Sequence, residues 1–521
     1  MRYMSVQHMI ASARTGGKVC TVMPHGVLFR SRKEQGIREE MLKEDLLEAV
    51  IGLPANLFYN TGIPASILIF HKGDKPEERR DKVLFINADR EYEEGSAQNY
   101  LRAEHIEKIV SAYRAFEDIE GYARVVPVEE LAANDYNLNI RRYADNAPPP
   151  EPHDVRAHLY GGIPRREVAA KQALFDAHGL QASSLFTTNG QEGYYAFAGT
   201  LERRGDIKAR VEADPGVKQQ EQALQDAFDA WWTEHKTRIA ALPEEGDVMD
   251  VRADFLTSFE DALRPVGLLD RFVVAGVIAE WWADQQNDFK TLAAQGAGGL
   301  IDSWVTSIRD AAARSDKEAP DPFEHKFVRH LLADYLGEIE DAEARRSDLE
   351  TRKDDFERGA PADSGDWQDA DTDRYDKYLK ARKKELKTLI EEEPDAAADP
   401  AVDYEAERTE AKRQLKRYKQ IKTDIKAAKK DAKALRGELL DRLTEARASL
   451  TAEEEQALVL TVARAELERE LRGYVDAHRR QVVAAIENWW DKYRTTMQDL
   501  DAERAETTQQ LDQHLEVMGY E

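Results

Sequence analysis

The stretch Leu53–Phe70, LPANLFYNTGIPASILIF, decides how this chain is read. Two apolar runs, EAVIGL (48–53) and ASILIF (65–70), flank a short loop rich in Asn, Gly and Pro. Continuous apolarity, as opposed to strict alternation, marks strands covered on both faces, as in an α/β sheet. Two similar runs lie on either side, KVCTVM (18–23) and VLFIN (83–87). Between the runs at 18–23 and 48–53 sits SRKEQGIREEMLKEDLL, with Ile37, Met41, Leu42 and Leu46 near helical spacing. A strand, a helix and a strand of that size make a parallel, right-handed crossover. The loop 54–64 carries no helical pattern and is at the lower limit for a crossover. The runs at 48–53 and 65–70 are therefore expected to be antiparallel neighbours.

Composition sets wider bounds. The chain has 521 residues, 33% of them charged and 42% apolar, so it can build cores under a large solvated surface. A net charge of −26 argues against a protein that coats nucleic acid, and leaves room for a local basic groove. Cys20 is the sole cysteine, so neither a disulfide nor a thiolate zinc site can form within the chain. That suits a reducing cytoplasm, and Cys20 reads as a small buried strand residue. No run approaches the roughly 18 apolar residues of a membrane span. The opening MRYMSVQHMIASARTGG lacks an apolar signal core. The expectation is a soluble cytoplasmic protein with no membrane partner.

Along the chain, residues 1–145 form the α/β part. ADNAPPPEPHD (144–154) reads as an extended spacer, with the linker proper at 146–154. Beyond it strand signals nearly vanish: 155–357 is expected to be a helical domain. The acidic, Gly/Pro-rich 358–403 reads as a mobile loop region with a helix near 374–391. Residues 404–521 read as a long basic coiled-coil helix followed by C-terminal helices. From about 404 to 450, Ala411, Leu415, Tyr418, Ile421, Ile425, Ala428, Ala432, Leu435 and Leu439 step by three and four. This seam is expected to pair with the helix around 324–358 as a helical hairpin. A further amphipathic helix covers 457–497.

Two surface features each carry two readings. Lys412, Lys416, Lys419, Lys426, Lys430 and Lys433 form one stripe opposite the seam, and 412–436 holds eleven Lys or Arg against two acids. Such a stripe could neutralise phosphates along a DNA backbone. It could equally be the solvated face of a coiled coil or the partner of the acidic helix at 338–356. The paired Trp231–Trp232, Trp281–Trp282 and Trp489–Trp490 read first as helix packing, and second as anchors of a subunit contact. Catalytic signatures are sparse: there is no G-x-x-x-x-G-K-[ST], no H-E-x-x-H and no G-x-G-x-x-G after a strand. The twelve histidines are scattered, so no metal site is expected and no catalytic residue is assigned.

Three phrases carry a family resemblance. VQHMIASARTGGKVCTVMPHGVLFR, IREEMLKEDLLEAVIGLPANLFYNTGIPASILIFHK and NDYNLNIRRYA, within residues 3–143, resemble the methylation (M) subunit of type I restriction–modification enzymes. GVIAEWWADQQNDFKTLAA and ENWWDKYR extend the resemblance more weakly into the helical part. Members of this family are adenine-N6 DNA methyltransferases that use S-adenosylmethionine. The resemblance implies a partial methyltransferase (Rossmann-like) sheet, ending in an antiparallel hairpin, followed by a large all-α, partly coiled-coil region. It makes the strands above the fifth, sixth and seventh of that sheet.

It further implies that Asn60, Thr61, Gly62 and Pro64 of NTGIP lie beside the pocket for the target adenine, with Pro24, His25 and Gly26 of PHG added as candidates by their position; on its own residues NTGIP reads equally as an ordinary tight connection. An adenine must be flipped from the duplex to react, and a loop of Gly and Pro lets the backbone approach and limits its freedom. PHG sits just past a strand's C-terminal end, where α/β sheets place ligands.

The departure from the family concerns its Gly-rich cofactor motif and its Asn-Pro-Pro-Phe/Tyr motif, which both belong before VQHM. Neither occurs in this chain; NAPPP in the linker is no match. The reading is therefore the C-terminal portion of an M subunit, inactive alone, whose status as an enzyme stays open. Its expected partners are a specificity subunit, a restriction subunit, DNA in the assembled complex, and a companion polypeptide carrying the N-terminal methyltransferase half. The alternative is a non-enzymatic helical scaffold with a methyltransferase remnant.

Overall fold

The computed structural model describes residues 2–147, 151–199, 201–314, 320–358, 384 and 404–518. Helix α1 (Arg2–Ser12) leads into strand β1 (Lys18–Pro24), followed by helix α2 (Lys33–Lys43), β2 (Leu47–Gly52), β3 (Ala65–His71), β4 (Lys82–Asn87), helix α3 (Ala103–Ala115) and β5 (Ala123–Pro127). The sheet order is β1-β3-β2-β4-β5. β2 and β3 pair antiparallel, as their short connection requires. β1 is also antiparallel to β3. β1 and β2 therefore run parallel, joined through α2, with β3 inserted between them. β4 lies parallel to β2, and β5, which the sequence reading missed, closes the far edge antiparallel.

The unbroken apolarity of the strands has a direct cause. On one face Val50, Leu68, Phe70, Val83 and Phe85 pack with Val6 and Ile10 of α1 and Met41 and Leu42 of α2. On the other, Ala49, Ile51, Ile69, Leu84 and Ile86 pack with Ile109 and Ala112 of α3. Both faces are covered, so both parities must be apolar. β1 is the exception. It is an edge strand whose Lys18, Cys20 and Val22 share the α3 face, and α3 meets it at Lys18, whose Nζ donates to Tyr113 Oη at 2.7 Å. Cys20 is in a strand as expected, yet it is exposed, not buried.

The chain divides into two compact units, Met1–Ala294 with Ala463–Glu521, and Gln295–Val462. The first unit holds, besides the five-stranded sheet, a small antiparallel sheet that the sequence reading also missed: β6 (Ile163–Pro164), β7 (Phe186–Thr188) and β8 (Tyr194–Phe197), ordered β6-β8-β7. The Asn-Gly pair at 189–190 between β7 and β8 is a hairpin signal that could have revealed it. Its helices Pro215–Ala240, Val248–Leu263 and the first part of Arg271–Ala313 share an aromatic core in which Trp231, Trp232, Trp281 and Trp282 are buried. Trp489 is buried against Phe175 and Phe186, and Trp490 is half-buried against Phe197. Four rings thus pack among helices, and Trp489 and Trp490 pack on the small sheet through Phe186 and Phe197.

In the second unit, helix Ala333–Arg358 lies along helix Tyr404–Gly437. Tyr418, Ile421, Ile425, Ala428 and Ala432 are buried on the seam, while the side chains of Ala411 and Leu415 fall outside the described residues. The single helix expected over 404–450 is two, breaking between Gly437 and Leu439. Glycine has the weakest helix propensity short of proline, and here it marks the break. The helix expected near 374–391, and the loop region around it, lie outside the described residues. Among the described residues no helix is long and apolar enough to cross a membrane.

Candidate functional site

One rim of the five-stranded sheet gathers the ends of β1, β2 and β4 and the start of β3. The two stretches singled out by sequence meet here. The His25 backbone N–H approaches the Pro64 carbonyl at 3.5 Å, and the His25 ring bonds the Ala65 carbonyl. Leu53 N–H donates to that same carbonyl at 2.9 Å. His25 opens a short 3₁₀ turn, His25–Leu28, directly after Pro24, so the strand's end presents its ring at the rim.

The 54–64 loop stands out from the sheet. Asn56 and Asn60 adopt left-handed backbone (φ 55° and 62°), a conformation Asn tolerates better than other L-residues. Thr61 Oγ1 accepts from Ile63 N–H at 3.2 Å and Thr61 bridges back to Phe58, which closes the tip. Asn60, Thr61 and Gly62 are exposed, as are Phe58, Tyr59 and Ile63, with Tyr59 80% exposed. Large apolar rings on a polar loop tip are costly unless something covers them.

Four residues without a role in the sequence reading complete the rim. Asn87, at the end of β4, donates Nδ2 to the Ala144 carbonyl at 2.9 Å. Asp89, two residues on, receives Arg141 at 2.7 Å and Asn146 Nδ2 at 2.5 Å. Burial opposes ionisation of Asp89, but the bonds from Asn146 and Arg141 outweigh it and hold the carboxyl below the usual range. Segment 137–146 lies so close to β2 that a Cβ on Gly52 would sit 2.9 Å from Ile140 Cδ1. A side chain there would have to displace the tip of Ile140, so a small residue suits this close approach. Arg141 stands in the quoted phrase NDYNLNIRRYA, but nothing local marked it, because its partner Asp89 is distant in sequence.

His25 lies within electrostatic reach of Asp89 and Arg141, and burial pushes its imidazole down, so it is neutral near pH 7. Its Nε2 is buried and, among the described residues, has no hydrogen-bond partner; the same holds for Asn146 Oδ1. No group of side chains suited to a metal ion occurs among the described residues.

Comparison with known proteins bears on this segment. Residues 1–151 match the N-6 DNA methylase family. The MjaVII methylase subunit of a type I restriction enzyme from Methanocaldococcus jannaschii is 47% identical over 157 residues, 30% of this chain and 27% of that protein. The MjaVIII methylase subunit from the same organism is 47% identical over 144 residues, 27% of this chain and 24% of that protein. A solved type I restriction–modification methyltransferase subunit from Streptococcus thermophilus is 46% identical and covers 25% of this chain and 27% of its own, with a TM-score of 0.24. Residues 1–151 thus have relatives among type I methylase subunits, and the chain spans about a quarter of the curated relatives it matches.

The lysine stripe lies elsewhere, in the second unit. Lys412, Lys416, Lys419, Lys426, Lys430 and Lys433 are all exposed on helix Tyr404–Gly437. Interspersed and subsequent cations meet the acidic helix: Lys429 with Glu350 and Arg436 with Glu343, each at 2.9 Å, and Arg442 with Glu338 at 3.7 Å.

Proposed function

We propose that this chain is part of the M subunit of a type I restriction–modification system and contributes to adenine-N6 methylation of DNA. The observation that carries the reading is the 47% identity to methylase subunits, over a segment whose PHG and NTGIP stretches fold into contact through His25 and Pro64. In this reading Pro24, His25, Gly26, Asn60, Thr61, Gly62 and Pro64 form one wall of the pocket for a flipped adenine. S-adenosylmethionine supplies the methyl group in the complete enzyme. The Gly-rich and Asn-Pro-Pro-Phe/Tyr motifs come from a further methyltransferase segment, on a companion polypeptide or a longer chain, so this chain alone is inactive.

The open edge of β1 supports that assembly. α1 and α2 cover the same face of the sheet, and α2 makes the crossover from β1 to β2. A strand entering through α1 would, by the same right-handed rule, lie parallel to β1 on its free edge. The specificity subunit reads the sequence and docks on the helical parts, a restriction subunit joins the complex, and the stripe Lys412–Lys433 runs along the DNA backbone. The domain reading is a methyltransferase half at 1–145, linker 146–154, a mostly helical part at 155–357 that carries the small sheet and spans both compact units, acidic region 358–403, and a coiled-coil and C-terminal helical part at 404–521, all in a soluble cytoplasmic protein.

The test is co-expression with a polypeptide carrying the two motifs and with a specificity subunit, followed by methyl transfer from labelled S-adenosylmethionine to duplex DNA. The expected result is transfer by the complex and none by this chain alone. An assembled complex that transfers no methyl group would leave the helical scaffold with a methyltransferase remnant.

A further inference from the structure

We propose that His25 and Asn146 are the specificity-determining acceptors of the rim, and that the group they recognise is the exocyclic amine of a nucleobase. This rests on the proposed methyltransferase reading and adds to it a named chemical contact. His25 donates one ring N–H to the Ala65 carbonyl, which leaves Nε2 as a lone pair in the neutral ring. That lone pair is buried and, among the described residues, unpaired. Asn146 is oriented by its own bonds: Nδ2 donates to Asp89 at 2.5 Å and toward the Asn87 carbonyl at 3.5 Å. Its Oδ1 is therefore the free end, and it too is buried without a partner among the described residues.

Both acceptors neighbour the Asp89 carboxylate, which adds negative charge and offers no proton. Buried acceptors left unmade are expensive, and a ligand that brings N–H donors removes that cost. A carbonyl or a phosphate oxygen at this rim would face lone pairs with lone pairs. The rim thus selects adenine or cytosine, which carry an amino group, over a base presenting only acceptors at that edge. The exposed Phe58 and Tyr59 beside it can cover a base face without reading its edge.

The test uses the full chain, uniformly labelled with nitrogen-15, titrated with adenosine and with purine riboside, the same nucleoside without its amino group. Adenosine is expected to shift the His25 Nε2 resonance and bind about three- to tenfold more tightly than purine riboside, the range for one hydrogen bond. His25→Phe and, separately, Asn146→Ala should each reduce that preference while the melting temperature shows the variant folded. Equal binding of the two nucleosides to the unaltered chain would overturn the amine contact and leave the base pocket standing. Binding of neither, with no shift at His25 or in Asn60–Pro64, would overturn both the amine contact and any nucleobase site formed by this chain itself.

Discussion

Glu48 shows how much one residue in the five-stranded sheet controls. It is fully buried in β2 and accepts from Tyr113 and Arg79, each at 2.7 Å, and from Lys18 at 3.0 Å, with His71 at 2.9 Å. Burial alone would raise its pKa; the bonds from Tyr113, Lys18 and Arg79 prevail and hold it at about 2. An unfolded glutamate titrates near 4.3, so this carboxylate stabilises the fold fully above roughly pH 5 and progressively less as pH falls toward 2. The contribution at pH 7 is on the order of 3 kcal/mol. Glu48→Gln should therefore lower stability at pH 7 by a similar amount, and denaturant titrations should show the gap from the unaltered protein closing in acid. A gap constant from pH 7 to pH 3 would mean that Glu48 supplies packing and not charge. No local pattern hints at this network, since a Glu inside EAVIGL reads only as an interruption of an apolar run.

At the scale of elements, the small three-stranded sheet and its helices are tied to the helix Ala452–Tyr493 by two devices. One is a histidine pair: His178 Nδ1 and His478 Nδ1 lie 2.8 Å apart, and His178 Nε2 meets Glu221 at 2.9 Å, itself held by Arg479. A bond between two ring nitrogens holds one proton, so doubly charged imidazoles cannot keep it. Burial pushes both rings down, and His478 is lowered further by His178. With folded pKa values below the unfolded one near 6.5, the pair stabilises above about pH 7 and loses that stabilisation as pH falls. Melting curves at pH 7.5 and 5.5 should show a larger acid loss for the unaltered chain than for His478→Gln, by roughly 1 kcal/mol.

The second device is Trp489, in the same core as Phe175, Phe186 and Val482. Trp489→Ala should cost about 3–5 kcal/mol in chemical denaturation. A near-neutral outcome would return the ring to the role of a subunit anchor. A third position, Gly179, takes φ +73°, and a Cβ there would lie 2.4 Å from the Gly216 carbonyl oxygen. Gly179→Ala should destabilise by at least about 2 kcal/mol, combining left-handed strain with backbone overlap. Legibility here was uneven. Long helices announced themselves by period, while strands of two to four residues, Ile163–Pro164 among them, are too short to show alternation.

At the scale of the whole molecule, charge separates two kinds of surface. The chain carries −26 overall, yet 412–436 carries eleven cations against two acids. If the stripe follows DNA, changing Lys416, Lys426 and Lys430 together to Glu should weaken DNA retention by the assembled complex. It should also flatten its salt dependence by nearly one unit of slope for each phosphate that is no longer neutralised. Melting should change little, because these side chains are exposed. Unchanged salt dependence would assign the stripe to solvent or to a helix of a partner.

Local pattern was enough to place four apolar strands of the N-terminal sheet, the antiparallel turn of β3 on β2, and the helical character of most described residues beyond the linker. Each depends on local period and on connection length, which are written in neighbouring residues. NTGIP was placed by resemblance and PHG by its position after a strand, and the bonds that join them belong to the fold. Only the tertiary structure decided that Cys20 is exposed, that Asp89 meets Arg141 and Asn146, and that His178 meets His478. Those outcomes depend on which strand is the edge and on pairs separated by tens to hundreds of residues, and no local pattern encodes them.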